Sequence, residues 1–167
     1  PDMTGWTTGE DGIPAGWTVK EDMYSMPLTI ETIEANTQLS LSNPENCAPF
    51  EYSYDGITWI ECATNTTTET TISDASTKVY FRGNNTKRVH IGTDKPCYVY
   101  GNAMSMVTKT DFFSCTKIIQ EYAFYNMFLN GKIMNHPTRE LVLPAKKLSA
   151  SCYSGMFKNC TNLTTAP

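Results

Sequence analysis

The feature that most constrains this chain is that it repeats itself. Ala123-Phe124-Tyr125-Asn126-Met127-Phe128-Leu129-Asn130 matches Cys152-Tyr153-Ser154-Gly155-Met156-Phe157-Lys158-Asn159, an offset that carries Met127 onto Met156. A weaker match sets Phe112-Phe113-Ser114-Cys115-Thr116-Lys117-Ile118 against Phe157-Lys158-Asn159-Cys160-Thr161-Asn162-Leu163. A period of this size with Leu at short spacing is the signature of a solenoid, in which one unit cannot bury its own apolar face and neighbours must stack. The apolar spacing of Ile118 to Phe128, with Ile119, Ala123, Phe124, Met127 and Phe128 on one face, predicts a helix, and residues 149–157 read the same way. Leu141-Val142-Leu143-Pro144 reads as a short strand stopped by proline. Each unit is therefore expected to be a strand plus a short helix. Leu141, Leu143, Cys152, Met156, Phe157, Cys160 and Leu163 are its structural positions.

Upstream, the pattern is that of β-structure. Leu28 to Ile33 and Leu39 to Ser42 alternate with period two. Phe50 to Tyr54, Asp55-Gly56 and Ile57 to Ile60 read as a hairpin closed by a type I′ turn, in which both central residues need positive φ. Segments at 70–72, 78–82, 89–91 and 97–100 supply further short strands between turn residues. The expected fold is mostly β with some α. A small β-sandwich or barrel-like module covers residues 26–107, and the start of a repeat array covers 108–167. Residues 1–25 hold turn chemistry without periodicity. They read either as an irregular arm packed by its own tryptophans or as an arm anchoring to a neighbouring subunit through Trp6 and Trp17.

Composition narrows the function. Of 167 residues, 40% are apolar and only 18% charged, the net charge is −4, and no basic run exceeds two residues. A nucleic-acid groove needs a basic stripe, so that class is excluded. No stretch reaches the ~18 apolar residues of a membrane-spanning helix, and Pro1-Asp2-Met3 opens no signal peptide. The chain is expected to be either a mature form or fragment without its leader, or a protein made without export, as a virion protein is. It ends on Leu163-Thr164-Thr165-Ala166-Pro167, where a repeat is expected to run on.

No catalytic constellation appears. His90 reads as a strand residue facing water or the sheet edge, and His136, before Pro137, as a turn residue. No nucleophile elbow, zincin motif or phosphate loop exists, and Gly83-Asn84-Asn85 is a turn. Glu31, Glu34, Glu51 and Asp55 have no spacing that makes a glycosidase pair. Neither zinc nor calcium spacing is present, Asp94 and Asp111 being isolated oxygen donors. No enzyme activity, cofactor or metal is expected. The sequons at Asn65, Asn84, Asn159 and Asn162 read as Thr-rich surface. The candidate binding aromatics are Tyr52, Trp59, Tyr98 and Tyr100. Their competing reading is as the apolar positions of half-buried strands. Cys47 and Cys62 flank the hairpin and either pair or stay free. Cys115, Cys152 and Cys160 read as small buried apolar residues.

These residues carry a family resemblance. Leu141-Val142-Leu143-Pro144-Ala145, Leu148, Cys152-Tyr153, Met156-Phe157 and Asn159 to Pro167 resemble the repeat of BspA-like leucine-rich-repeat surface proteins. Ile119-Gln120-Glu121-Tyr122-Ala123-Phe124-Tyr125-Asn126 resembles the alternative I-x-E-x-A-F-x-N form of that repeat. Pro27 to Glu31, Tyr80 to Asn84 and Cys97 to Ser105 resemble the β module that often precedes such repeats in surface proteins of Bacteroides-type gut anaerobes and their phages. The likeness covers residues 27–167. It departs at the first repeat, where Met127 replaces the usual Cys and residues 131–139 are inserted. The resemblance implies an extracellular adhesion or recognition role toward a protein or glycan on a cell surface, without catalysis. It also implies Cys152 and Cys160 as free thiols lining the interior. The rival expectation is a virion fibre, head or tail decoration protein anchored by its N-terminal arm, and a third is an accessory domain of a carbohydrate-active enzyme.

Overall fold

The computed structural model describes residues 22–167 apart from Asn85. The protein is mostly β. Its strands are β1 (Leu28–Thr32), β2 (Thr37–Asn43), β3 (Phe50–Ser53), β4 (Ile60–Cys62), β5 (Thr66–Ile72), β6 (Lys78–Gly83), β7 (His90–Thr93), β8 (Cys97–Asn102), β9 (Ile133–Asn135) and β10 (Leu141–Val142). A 3-10 turn, Ala103–Met106, follows β8.

The larger sheet runs β10-β8-β1-β6-β3-β4, with β9 also pairing β8, and the smaller runs β5-β2-β7. Strand alternation sorts the side chains. In the larger sheet Leu28, Ile30, Phe50, Val79, Phe81, Cys97 and Val99 point into the core, and Leu39, Leu41 and Ile91 of the smaller sheet join the same apolar cluster. The intervening residues of the larger sheet form its opposite face, where register sets Glu51 beside Arg82 and Glu31 beside Tyr98.

Residues 108–167 are joined to this module rather than strung beside it. β9 and β10 both pair parallel to β8. Ile118, Ala123, Phe124, Met127, Phe128, Met156 and Cys160 continue the same buried cluster. Gly101 makes the junction possible. Its φ is +84°, and a Cβ there would lie 2.2 Å from the carbonyl oxygen of Pro27. Asn102 then ties the chain down: its backbone N–H donates to Met26, its amide donates to the carbonyl of Tyr24, and its side-chain oxygen caps the 3-10 turn at Met104. Ser105 bridges β1 and β6, accepting from the Leu28 N–H and donating to the Phe81 carbonyl.

Two local expectations are corrected. The Asp55-Gly56 hairpin forms, pairing Tyr52 with Ile60 and Phe50 with Cys62, but its loop spans residues 54–59 and is not a two-residue type I′ turn. Only Gly56 has positive φ. The Asp55 carboxylate organises the loop by accepting from the N–H groups of Ile57 and Thr58 and from the Ser53 hydroxyl. Those bonds hold it well below the usual carboxylate range. The second correction concerns the helices expected over 118–128 and 149–157. The structure has turns over 121–130 and 150–159 instead, and the only helical element among the described residues is the 3-10 turn. The expected leader, with Trp6 and Trp17, lies outside the described residues apart from its last few positions.

Candidate functional site

The helix expectation fails for a reason visible in the backbone. In the first unit, φ is positive at Tyr122, Phe124, Asn126 and Asn130, and in the second at Ser151, Tyr153, Gly155 and Asn159. Taken in order, these residues pair off at the same offset as the sequence match. Alternating signs of φ cannot propagate an α-helix. They make overlapping turns instead. Tyr125, Met127, Leu129 and Gly131 donate to the carbonyls of Tyr122, Phe124, Asn126 and Phe128. In the second unit Cys152, Ser154, Met156, Lys158 and Cys160 donate to Ser149, Ser151, Tyr153, Gly155 and Phe157. A residue with a side chain in the left-handed region costs about 1–2 kcal/mol. Sequence periodicity could not reveal the arrangement, because apolar residues at i, i+1, i+4 and i+5 suit a helix face and this ribbon equally.

What offsets that cost is the contact between units. The alternate amides, those of Tyr122, Asn126, Phe128 and Asn130, donate to the carbonyls of Ala150, Ser154, Met156 and Lys158, and Tyr153 donates back to Ala123. Lys117 and Lys147 add a parallel bridge, Ile118 donating to the Lys147 carbonyl. Side chains stack at the offset of the repeat. Phe124 lies on Tyr153 with ring centres 4.9 Å apart and planes 4° from parallel, and Phe128 on Phe157 at 5.9 Å and 13°. The Asn159 amide donates to the Asn130 side-chain oxygen at 2.8 Å, and the Asn135 side-chain oxygen accepts from the N–H groups of Thr164 and Thr165. The residues expected to interrupt the stack, 131–139, thus contribute Asn135 to it.

The β-module starts the stack. Arg88 donates its backbone N–H to Tyr122, Ile91 donates to Met127, and the His90 Nε2 lies 3.1 Å from the Leu129 carbonyl. His90 is therefore half-buried and ties sheet to stack, where a strand residue facing water or the sheet edge was expected. The Arg88 guanidinium lies 4.3 Å from the centre of the Tyr122 ring.

The expected repeat positions are distributed as follows. Leu141, Met156 and Cys160 are buried, and Leu143, Cys152, Phe157 and Leu163 pack partly buried against the core. All six cysteines are free thiols, Cys47 and Cys62 included. Cys160 and Cys152 donate their S–H across the unit boundary to the carbonyls of Phe128 and Gln120, and burial pushes the Cys160 thiol pKa up. Of the three cysteines expected to be buried only Cys160 is; Cys115 and Cys152 are both half-buried and pack against the core. Ile119, placed with the apolar face by its spacing, is 60% exposed, and Leu148, its counterpart in the next unit, is 58% exposed. Lys117, Lys146 and Lys147, close to them in the chain, are exposed as well.

The four candidate aromatics divide. Tyr52 and Tyr100 are buried. Trp59 is half-buried under the Arg82 guanidinium, 3.9 Å from its ring centre, and Tyr98 is half-buried against His136 at 4.8 Å. The sequence reading missed the group around His136. Its Nδ1 accepts from the N–H groups of Thr138 and Arg139, its ring also meets Tyr100 at 5.2 Å, and Arg139 and the Tyr100 hydroxyl both reach Glu31. Burial and the Glu31 carboxylate hold the Tyr100 phenol far above its ordinary pKa. The group locks the 133–139 segment onto β8. The partners of His136 lie on distant parts of the chain, so no local motif announces it. Nearby, Glu51 takes Arg82 and Lys109. Burial raises its pKa, but the two cations outweigh that and lower it.

Among the described residues no group of three or more His, Cys, Asp or Glu is placed to hold a metal ion, and no helix is long and apolar enough to cross a membrane. A cleft of about 380 Å³ at the junction of the small sheet and the stack is lined by Ser40, Glu69, His90, Asp94 and Asn130 among others. No family model matches the chain, and no curated protein or solved structure matches it.

Proposed function

We propose that this chain is a non-enzymatic recognition protein displayed on a surface, whose 108–167 segment is the capping start of a leucine-rich-repeat array that binds a protein or glycan. The observation that carries the reading is that Ile119 and Leu148, which occupy equivalent positions of the sequence repeat, are both exposed on a stacked, hydrogen-bonded scaffold. Large apolar side chains kept in water at equivalent positions of successive units offer a partner a periodic strip, and the flanking lysines give it a charge preference. Rigid elements hold such a strip without an ordering cost at binding. The resemblance of 119–126 and 141–167 to BspA-like repeats points the same way.

The test is binding of the labelled chain to intact bacterial cells, epithelial cells and a glycan array. The Ile119→Asp/Leu148→Asp double variant serves as comparison, its folding checked by circular dichroism. Saturable binding by the wild-type chain and its loss in the variant is the expected result. Binding that the variant retains in full contradicts the strip. Failure of the wild-type chain on every surface, together with its recovery as a stoichiometric component of purified virions, favours the virion structural reading.

A further inference from the structure

The interface between the two units has a polarity, and that polarity predicts what fits the exposed face of the second. Within the turn ribbon, the first unit presents four N–H donors and one carbonyl acceptor to the second: the amides of Tyr122, Asn126, Phe128 and Asn130, and the carbonyl of Ala123. The second unit repeats the same φ pattern at Ser151, Tyr153, Gly155 and Asn159. Its equivalent groups are the amides of Ser151, Gly155, Phe157 and Asn159 and the carbonyl of Cys152. Among the described residues none of these five has a hydrogen-bond partner.

We infer that this face is a docking surface for another turn-ribbon unit of the chain's own kind, seated in parallel at the offset that relates the first two units. The occupant needs carbonyls placed to accept from Ser151, Gly155, Phe157 and Asn159, as Ala150, Ser154, Met156 and Lys158 accept from the first unit. It needs aromatic rings to lie on Tyr153 and Phe157, as those rings lie on Phe124 and Phe128. It needs an Asn amide to reach the Asn159 side-chain oxygen, continuing the Asn130 to Asn159 link. A second copy of the whole chain cannot satisfy the face by two-fold pairing, because that would set most donors opposite donors. The carbonyl side of the first unit is no partner either, since the β-module lies against it, with Ile91 and His90 already bonded to the carbonyls of Met127 and Leu129. Growth therefore runs one way, from the β-module outward. The inference rests on the reading of residues 108–167 as the start of an array but not on the ligand proposed above, and it is tested without one.

The experiment appends a copy of residues 139–167 after Pro167 and follows amide hydrogen exchange by NMR, with a scrambled extension of equal length and composition as control. The expected result is that the amides of Ser151, Gly155, Phe157 and Asn159 slow to the level of Tyr122, Asn126, Phe128 and Asn130, and that thermal unfolding stays one transition and moves upward. If the four amides exchange as in the parent, or if the scrambled extension protects them equally, the inference is overturned. Should the tandem protein fail to fold, the same segment is supplied in trans as a peptide to the parent chain. Absence of protection at the four amides then counts against the inference. Protection in the parent alone that rises with protein concentration would also overturn it, in favour of self-association.

Discussion

Removing the ring of Phe128 probes the stack at its centre. The side chain is fully buried and lies on Phe157 one unit away. Truncating a buried Phe to Ala costs about 3–5 kcal/mol, the transfer loss plus the cavity left behind. Against a total of about 5–15 kcal/mol for a typical domain, the variant stays largely folded unless the chain sits at the low end. Phe157 is only half-buried, so Phe157→Ala costs less. The informative quantity is the difference between the double variant and the sum of the singles. Stacked rings contribute about 0.5–1.5 kcal/mol beyond their buried area, and once one ring is gone the other cannot lose that contribution again. The double variant is therefore expected to be less destabilised than the sum by that amount. Urea unfolding measured at constant m gives each value. Additivity within about 0.3 kcal/mol, the behaviour of distant sites, would refute the stacking of the two units at this position.

Three further perturbations test the rest of the structure. Gly101→Ala places a Cβ 2.2 Å from the Pro27 carbonyl at φ +84° and should cost more than the roughly 1–2 kcal/mol of the left-handed conformation alone, read as a lower melting temperature. Tyr153→Phe removes a buried hydroxyl that has no hydrogen-bond partner among the described residues, and should stabilise by about 1 kcal/mol in the same assay. The lowered pKa of Glu51 means that its contribution to stability is fully present above the unfolded carboxylate value, about 4.3, and is lost as pH falls through the lower folded value. Lys109→Met should reduce stability at neutral pH and narrow its gap to wild type on acidification, as followed by urea midpoints across that window. A gap that widens toward low pH would contradict the ion-pair assignment.

Much of this fold was legible in the sequence where local rules decide. Period-two alternation located most of the strands, and Asp55-Gly56 marked the hairpin although not its loop geometry. The self-match that carries Met127 onto Met156 has the same offset that the ring stacks and the Asn130 to Asn159 link obey. The conformation of each unit was not legible. Positive φ at Tyr122, Phe124 and Tyr153 runs against intrinsic preference and is sustained by bonds to a neighbouring unit, a tertiary cause that periodicity does not record. β9 was missed for a related reason, since a strand as short as Ile133–Asn135 carries too little pattern to stand apart from a loop. The exposed Ile119 was misplaced because it follows the bridge between Lys117 and Lys147 ahead of the turns, where neighbouring side chains take opposite sides and Ile118 is the buried one. The cluster on His136 joins Glu31, Tyr98, Tyr100 and Arg139, whose proximity depends on β8 pairing with both β1 and β9.

The central claim is that residues 121–130 and 150–159 are stacked turn ribbons with alternate amides of the first committed within the unit and to the second. Residue-resolved hydrogen exchange on the unmodified chain tests it most directly. The account predicts protection at Tyr122, Asn126, Phe128 and Asn130, whose N–H groups donate to the second unit, and fast exchange at their counterparts Ser151, Gly155, Phe157 and Asn159. Continuous protection through both segments, as an α-helix gives, or equal exchange at the two sets of amides, would contradict it.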